Sequence, residues 1–218
     1  LAVMRQPRNM GGKSIVNIFA LGAFWRKIAR AINAEIDDLG GLRFMEWRGE
    51  VDWLRDGQGG GLWCESTNAA VSNCVLAGNS AGAGGGASWG TLNNCTLTGN
   101  SADVGGGAYC STLYNCVLSG NSANVGGGAY SAEVSNCTLT GNSAGYGGGG
   151  ANECTLYNCT VTGNDGGGVG DNWRGVGSTL YNSIVYYNYG GNYDEETILN
   201  YCCTTPLPTN GVGNITGH

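Results

Sequence analysis

Residues 105–125, GGGAYCSTLYNCVLSGNSANV, and residues 126–146, GGGAYSAEVSNCTLTGNSAGY, are nearly the same 21 residues written twice. The unit continues on both sides of this pair. Asn-Cys stands at Asn73-Cys74, Asn94-Cys95, Asn115-Cys116, Asn136-Cys137 and Asn158-Cys159, with a degenerate copy at Asn182-Ser183, at spacings of 21, 21, 21, 22 and 24 residues. Gly-Asn follows each full copy, at Asn79, Asn100, Asn121, Asn142 and Asn164, and a glycine triplet recurs in step. A unit this short cannot bury a core alone, but a stack of units can. The chain holds 42 glycines in 218 residues. Disordered glycine-rich tracts do not keep Leu, Cys and Asn in register, so the period argues for order.

One turn of a solenoid can be read off residues 105–125. Cys116 and Leu118 are two apart and point to the same side of a strand, while Val117 and Ser119 point away. Leu113 also reads as buried, yet lies three residues before Cys116. A left-handed bend at Asn115 restores the parity, because Asn tolerates that backbone conformation. Asn121 is placed for the next bend, and Gly105–Gly107 for the third corner, where positive φ costs glycine little. Ala108 and Ala123 would fill the narrow places inside. Stacking then aligns like with like at about 4.8 Å per rung. The inward columns are Cys74, Cys95, Cys116, Cys137, Cys159 and Leu76, Leu97, Leu118, Leu139, Val161. The two asparagine columns become ladders in which each amide serves the next rung, as buried polar groups require. Five cysteines at one repeat position read as small buried hydrophobes and free thiols rather than a disulfide framework.

The expected fold is therefore all-β, a parallel β-helix of about six coils of about 21 residues over residues 59–203. The units LSGN and GGGAY resemble the FxxN and GGA(I/L/V) repeats of the chlamydial polymorphic outer-membrane proteins, and similar repeats of bacterial right-handed parallel β-helix surface proteins. Leu or Val stands where that family has Phe. The resemblance implies right-handed winding and a secreted or outer-membrane passenger, often adhesive.

Residues 1–58 do not repeat and hold nine of the ten Lys and Arg. Ile15, Ile18, Leu21, Trp25, Ile28, Ile32, Ile36 and Leu39 give near-helical spacing, which suggests an amphipathic cap helix near 13–39. A signal peptide ending at Ala29-Arg30-Ala31 is the rival reading, against which Arg26 and Lys27 count. GGKS at 11–14 lacks the upstream glycine and strand of a phosphate loop. Residues 59–218 carry one basic residue, Arg174, against nine acids, which disfavours nucleic acid as a partner. No apolar run reaches the length of a membrane-spanning helix. Residues 204–218 read as a C-terminal tail, with Pro206 and Pro208 ending strand pairing. The adjacent Cys202 and Cys203 read as two thiols rather than a strained vicinal disulfide.

Chemistry is sparse. Pectate-lyase-like β-helices need clustered carboxylates or carboxylate-held Ca²⁺ beside a base. Asp103, Glu133 and Glu153 fall in different columns, no Lys follows residue 27, and His218 is terminal. No catalytic or cofactor-binding residue is assigned. GNDGGGVGD at 163–171 offers Asp165 and Asp171 as the candidate metal ligands. The outward strand positions give a Thr-x-Thr face from Thr96, Thr98, Thr138, Thr140, Thr160 and Thr162, with Val75, Ala77, Val117 and Ser119 between. Such arrays serve ice-binding solenoids, and threonine also simply suits exposed strands. Tyr109 and Tyr130, and separately Tyr114, Tyr157 and Tyr181, share columns that could stack on sugars or cover the sheet. The expected function is non-enzymatic, structural or adhesive, at a bacterial cell surface or in the extracellular space, with a host or cell-surface protein or a glycan as partner. A carbohydrate-binding or carbohydrate-active β-helix and an ice-binding solenoid are the alternatives.

Overall fold

The computed structural model describes residues 59–64, 69–171 and 176–216, with the short strands Ser14–Ile15 and Arg43–Phe44. Those two strands pair in parallel, and Arg43–Phe44 lies beside Val75–Ala77. The helix expected near 13–39 otherwise falls outside the described residues, as do the signal-peptide and GGKS readings.

The repeats form an all-β parallel solenoid of about six turns. A complete turn contributes one short strand to each of four faces, and strands pair in parallel with their equivalents one coil away. In the coil from Gly105, face 1 is Ala108–Tyr109, face 2 Thr112–Tyr114, face 3 Val117–Ser119 and face 4 Ser122–Val125. Faces 2 and 3 have seven strands, face 1 six and face 4 four.

The core is one side chain thick per face. Face 1 supplies Ala87, Ala108, Ala129, Ala151 and Val169; face 2 supplies Leu92, Leu113, Val134, Leu156, Leu180 and Leu199; face 3 supplies Leu76, Leu97, Leu118, Leu139, Val161 and Val185. Small residues on one face opposite leucines on two let the coil close at this repeat length.

The corners depart from the sequence reading in four respects. Asn115 is left-handed as expected, at φ 53°, but at the next corner the left-handed residue is Gly120, φ 63°, not Asn121. There are four corners rather than three: Trp89, Cys110, Ser131 and Glu153, φ 49–64° among Trp89, Cys110 and Ser131 and 51° at Glu153, turn the chain between faces 1 and 2. In the triplet only Gly105 has positive φ. Gly106 and Gly107 are required by close approach instead. A Cβ on Gly106 would run into the Ser122 carbonyl, and one on Gly107 would lie 3.1 Å from Asn121 Nδ2 as well as against the Gly128 carbonyl. The glycine run therefore lies flat against the backbone of face 4, and Ala123, on that face, is only half-buried rather than part of the core.

The C-terminal end is closed by residues 205–215. Thr204 ends the core column of face 3, Ile215 pairs beyond Cys203, and Asn214 Oδ1 accepts the Cys202 N–H at 2.9 Å while its Nδ2 donates to the Leu199 carbonyl at 2.7 Å. The expected tail is thus, as far as residue 215, a cap on the last coil.

Candidate functional site

Only one of the two expected asparagine ladders is internal. Asn79, Asn100, Asn121, Asn142 and Asn164 are buried. In each link the Asn backbone N–H and side-chain Nδ2 both donate to Oδ1 of the Asn one coil on, at 3.0 and 2.9 Å for Asn100 to Asn121. The second Nδ2 proton goes to a core-column carbonyl, as from Asn121 to Leu97 at 2.9 Å. The ladder continues through Asn188 and Asn192 and ends on the Thr205 carbonyl. The other column, Asn73, Asn94, Asn115, Asn136 and Asn158, turns outward. Asn94, Asn115, Asn136 and Asn158 are exposed and Asn73 half-buried, with side-chain links only from Asn94 to Asn73 (2.5 Å) and Asn158 to Asn136 (3.2 Å).

Cys74, Cys95, Cys116, Cys137 and Cys159 are buried, and Cys202 extends their column. They are more than apolar plugs. Cys116 Sγ donates to the Tyr114 carbonyl at 3.2 Å and accepts the Cys95 N–H at 3.4 Å. The N–H after a left-handed corner is left out of the strand ladder, and the sulfur of the next coil receives it. Ser183 takes the same place, accepting the Cys159 N–H at 3.0 Å and donating to Tyr181. A second such column at the face 1–2 corner holds Ser111, Ala132, Cys154 and Ser178. None of the ten cysteines is disulfide-bonded. Burial pushes Cys64 up to about 11 and Cys154 and Cys159 up to about 12, while hydrogen bonds from the Cys116 thiol lower Cys95 and Cys137. These groups build the scaffold rather than a reactive centre.

The threonine face is placed as expected. Thr96 and Thr98, Thr138 and Thr140, and Thr160 and Thr162 stand in two outward columns of face 3, interleaved in register with Val75 and Ala77 and with Val117 and Ser119. All six threonines are half-buried. The Ser119 hydroxyl donates to Thr98 Oγ1 at 3.1 Å.

The tyrosines stand half-buried on the outward side of their strands, four of them in two stacked pairs, while Ser135 separates Tyr114 from Tyr157. Tyr109 and Tyr130 stack at 5.9 Å with planes 5° apart, and Tyr157 and Tyr181 at 5.2 Å and 8°. Rings stacked along the coil axis spend their faces on each other, which leaves edges rather than faces for a sugar. Tyr130 also donates its hydroxyl to the Glu153 carboxylate. Burial, with hydrogen bonding to Cys110 adding to it, raises the Tyr109 hydroxyl.

The expected pair Asp165 and Asp171 is not brought together. Asp165 extends face 4, bridging Ser143 and Tyr189, and accepts from the Gly166 N–H; Asp171 follows the last strand of face 1. Asp171 instead meets Asp194 and Glu196, one carboxylate oxygen from each lying within 4.8 Å of the others. Its N–H donates to the Asp194 carboxylate, whose other oxygen accepts from the Thr197 N–H at 3.1 Å and hydroxyl at 2.5 Å. Burial, then the hydrogen bond and charge of Asp194, push the Asp171 carboxyl up to about 6. Three oxygens at this separation are a donor set for a hard cation. The cluster joins residues 23 apart across an irregular coil, so no repeat position announced it. Asp103 on face 4, Glu133 on face 2 and Glu153 at the face 1–2 corner stay apart, as their columns implied.

The chain is a parallel β-solenoid repeat protein. No family model, curated protein or solved structure matches it.

Proposed function

We propose that this protein is a non-enzymatic structural or adhesive element of a bacterial surface, secreted or carried on the outer membrane, as its FxxN- and GGA-like repeats suggest. The observation that carries the reading is the outward register of face 3. Strand after strand presents mostly short, uncharged side chains in register, over a core whose asparagine ladder is hydrogen-bonded from coil to coil. A ladder satisfied in this way resists bending and local opening, which suits a spacer or a contact surface. Contacts of an adhesive face rest on a few anchors rather than on a reacting centre.

The carbohydrate-active reading draws on one observation, the Asp171, Asp194 and Glu196 cluster with its raised carboxyl. One pair of assays separates the two. Native protein is applied to glycan and cell-surface protein arrays, and is incubated with pectin, alginate and chondroitin with and without Ca²⁺. Array binding lost in Thr138→Lys with Thr160→Lys supports an adhesive face. Turnover above blank that disappears in Asp171→Asn would overturn the non-enzymatic reading.

A further inference from the structure

The sequence contains four Asn-x-Ser/Thr triplets: Asn94-Cys95-Thr96, Asn136-Cys137-Thr138, Asn158-Cys159-Thr160 and Asn214-Ile215-Thr216. A triplet of this form is the acceptor of an N-linked glycan where its asparagine amide and the hydroxyl two residues on reach the surface. Three of the four fall on one corner of the solenoid, between faces 2 and 3.

That corner presents both groups on the outside. Asn94, Asn136 and Asn158 stand at φ 53°, 54° and 54° and are exposed. The cysteine that follows each one is buried. Alternation then returns Thr96, Thr138 and Thr160 to the outward side of face 3, where they are half-buried. Each triplet thus straddles a single inward residue. The hydrogen bonds at the corner leave the amides available. Asn94 Nδ2 donates one proton to Asn73 Oδ1, and Asn158 Nδ2 donates one to Asn136 Oδ1 at 3.2 Å. An amide nitrogen carries two protons, so one remains for exchange.

Other asparagines fail on one count or the other. Asn73 and Asn115 share the corner column but are followed by Val75 and Val117. Asn79, Asn100, Asn121 and Asn142 are buried and have alanine two residues on. Asn214 has the triplet, but its amide is turned into the cap: Oδ1 accepts the Cys202 N–H at 2.9 Å and Nδ2 donates to the Leu199 carbonyl at 2.7 Å.

We propose that Asn94, Asn136 and Asn158 are acceptor sites for an N-linked oligosaccharide on the folded solenoid, and that Asn214 is not. The donor is an oligosaccharide carried on a polyprenyl pyrophosphate. Asn Nδ2 forms a bond to the first sugar's C1, and the C1–O bond to pyrophosphate breaks. Its electron pair leaves with the lipid pyrophosphate, and one Nδ2 proton is released. Thr138 pairs directly with Thr160, so Asn136 and Asn158 lie one rung apart, about 4.8 Å, and a branched glycan on one obstructs the other. Asn94 is two rungs from Asn136 and fills independently. The modification requires an exported chain, and so rests on the surface location proposed above.

The test incubates the folded full chain with a purified oligosaccharyltransferase and its lipid-linked donor, and reads intact mass and glycopeptides. The expected result is one or two glycan masses above the 22.4 kDa chain, at Asn94 and at one of Asn136 and Asn158, with Asn214 bare. Asn136→Gln should raise occupancy at Asn158. Thr96→Val, Thr138→Val and Thr160→Val together should abolish addition with unchanged circular dichroism, since valine already occupies this column at Val75 and Val117. A folded chain that takes no glycan would overturn the proposal, and so would addition at Asn214 or addition that survives the three valines. Addition only after denaturation would overturn it too, because the triplets would then act as sequence and not as surface. If the valine variant does not fold, the site map of the wild-type chain and of Asn136→Gln decides. The assay reads acceptor geometry rather than location, so its failure leaves the adhesive reading to the arrays.

Discussion

Asn100 and Asn121, 21 residues apart, are joined through a single oxygen: Asn121 Oδ1 accepts both the backbone N–H of Asn100, at 3.0 Å, and its side-chain Nδ2, at 2.9 Å. Asn121 in turn gives one amide proton to the Leu97 carbonyl and the other to Asn142. Replacing Asn121 by Ala leaves the Asn100 donors and the Leu97 carbonyl of the preceding coil without their partner and takes one donor from Asn142 on the next, in a buried site, at an expected cost of about 3 kcal/mol or more. Asn115 is exposed and contributes a left-handed backbone, so Asn115→Ala should cost about 1 kcal/mol and Asn115→Gly less. Urea denaturation midpoints check the order. Equal losses for Asn121→Ala and Asn115→Ala would remove the ladder from its role.

The cysteine column gives a test of hydrogen bonding against simple packing. Ser183 already makes the bonds that Cys116 makes three coils earlier. Cys116→Ser should therefore be tolerated within about 1 kcal/mol. Cys116→Ala leaves the Cys95 N–H without its acceptor and should cost about 1–3 kcal/mol. If the column served only as apolar filling, alanine would be the milder change.

Thiol ionisation links this core to pH. Cys64, Cys154 and Cys159 are raised from an ordinary value of 9.0 to about 11, 12 and 12. Above pH 9 the unfolded chain has lost protons that the folded chain keeps, so stability falls as pH rises. Melting temperature should be insensitive to these thiols below pH 8 and should drop between about 9 and 12. At pH 8, Ellman's reagent should react with the half-buried Cys110 and Cys203 first, and with the buried thiols only after denaturation.

Glycines that look alike in the repeat should differ in cost. A Cβ at Gly120 meets nothing within 4 Å, so Gly120→Ala carries only its left-handed φ, about 1 kcal/mol. Gly106 has no positive φ, yet a Cβ there collides with the backbone of Ser122 and Gly127. Gly106→Ala should be the more damaging, by about 2 kcal/mol or more. Thermal melts of the two variants compare them directly.

Face 3 should not order ice. Val75 and Val117 keep the methyl of threonine without its hydroxyl, Ala77 and Ser119 leave dips, and the Ser119 hydroxyl is turned to Thr98. Neither thermal hysteresis nor crystal shaping is expected. Faceted crystals that become round in Thr98→Tyr with Thr140→Tyr would reverse this ranking.

Much of the architecture was legible in the repeat. Leu118 two residues after Cys116 set one strand, and the Asn-Cys period set parallel stacking in register, because any other pairing would break every column at once. The left-handed bend at Asn115 was legible too, since few residues other than Asn and Gly adopt it readily. The fourth corner was hidden because Trp89, Cys110, Ser131 and Glu153 share no chemistry. The roles of Asn115 and Asn121 could not be told apart from one unit, because both are asparagines beside a corner. The acidic cluster was illegible for a related reason: Asp171 and Asp194 meet only through the irregular last coils.

What the sequence alone determined was periodicity: which residues stack on which, and hence a parallel β-solenoid. Tertiary structure decided which side of each corner faces inward. That choice turned one asparagine column into a buried ladder and left the other in solvent, and it made the cysteines acceptors as well as filling. The reason is that a period fixes translation along the stack, whereas burial depends on the rotation of the chain at each corner, and one φ value near a glycine or an asparagine is enough to change it.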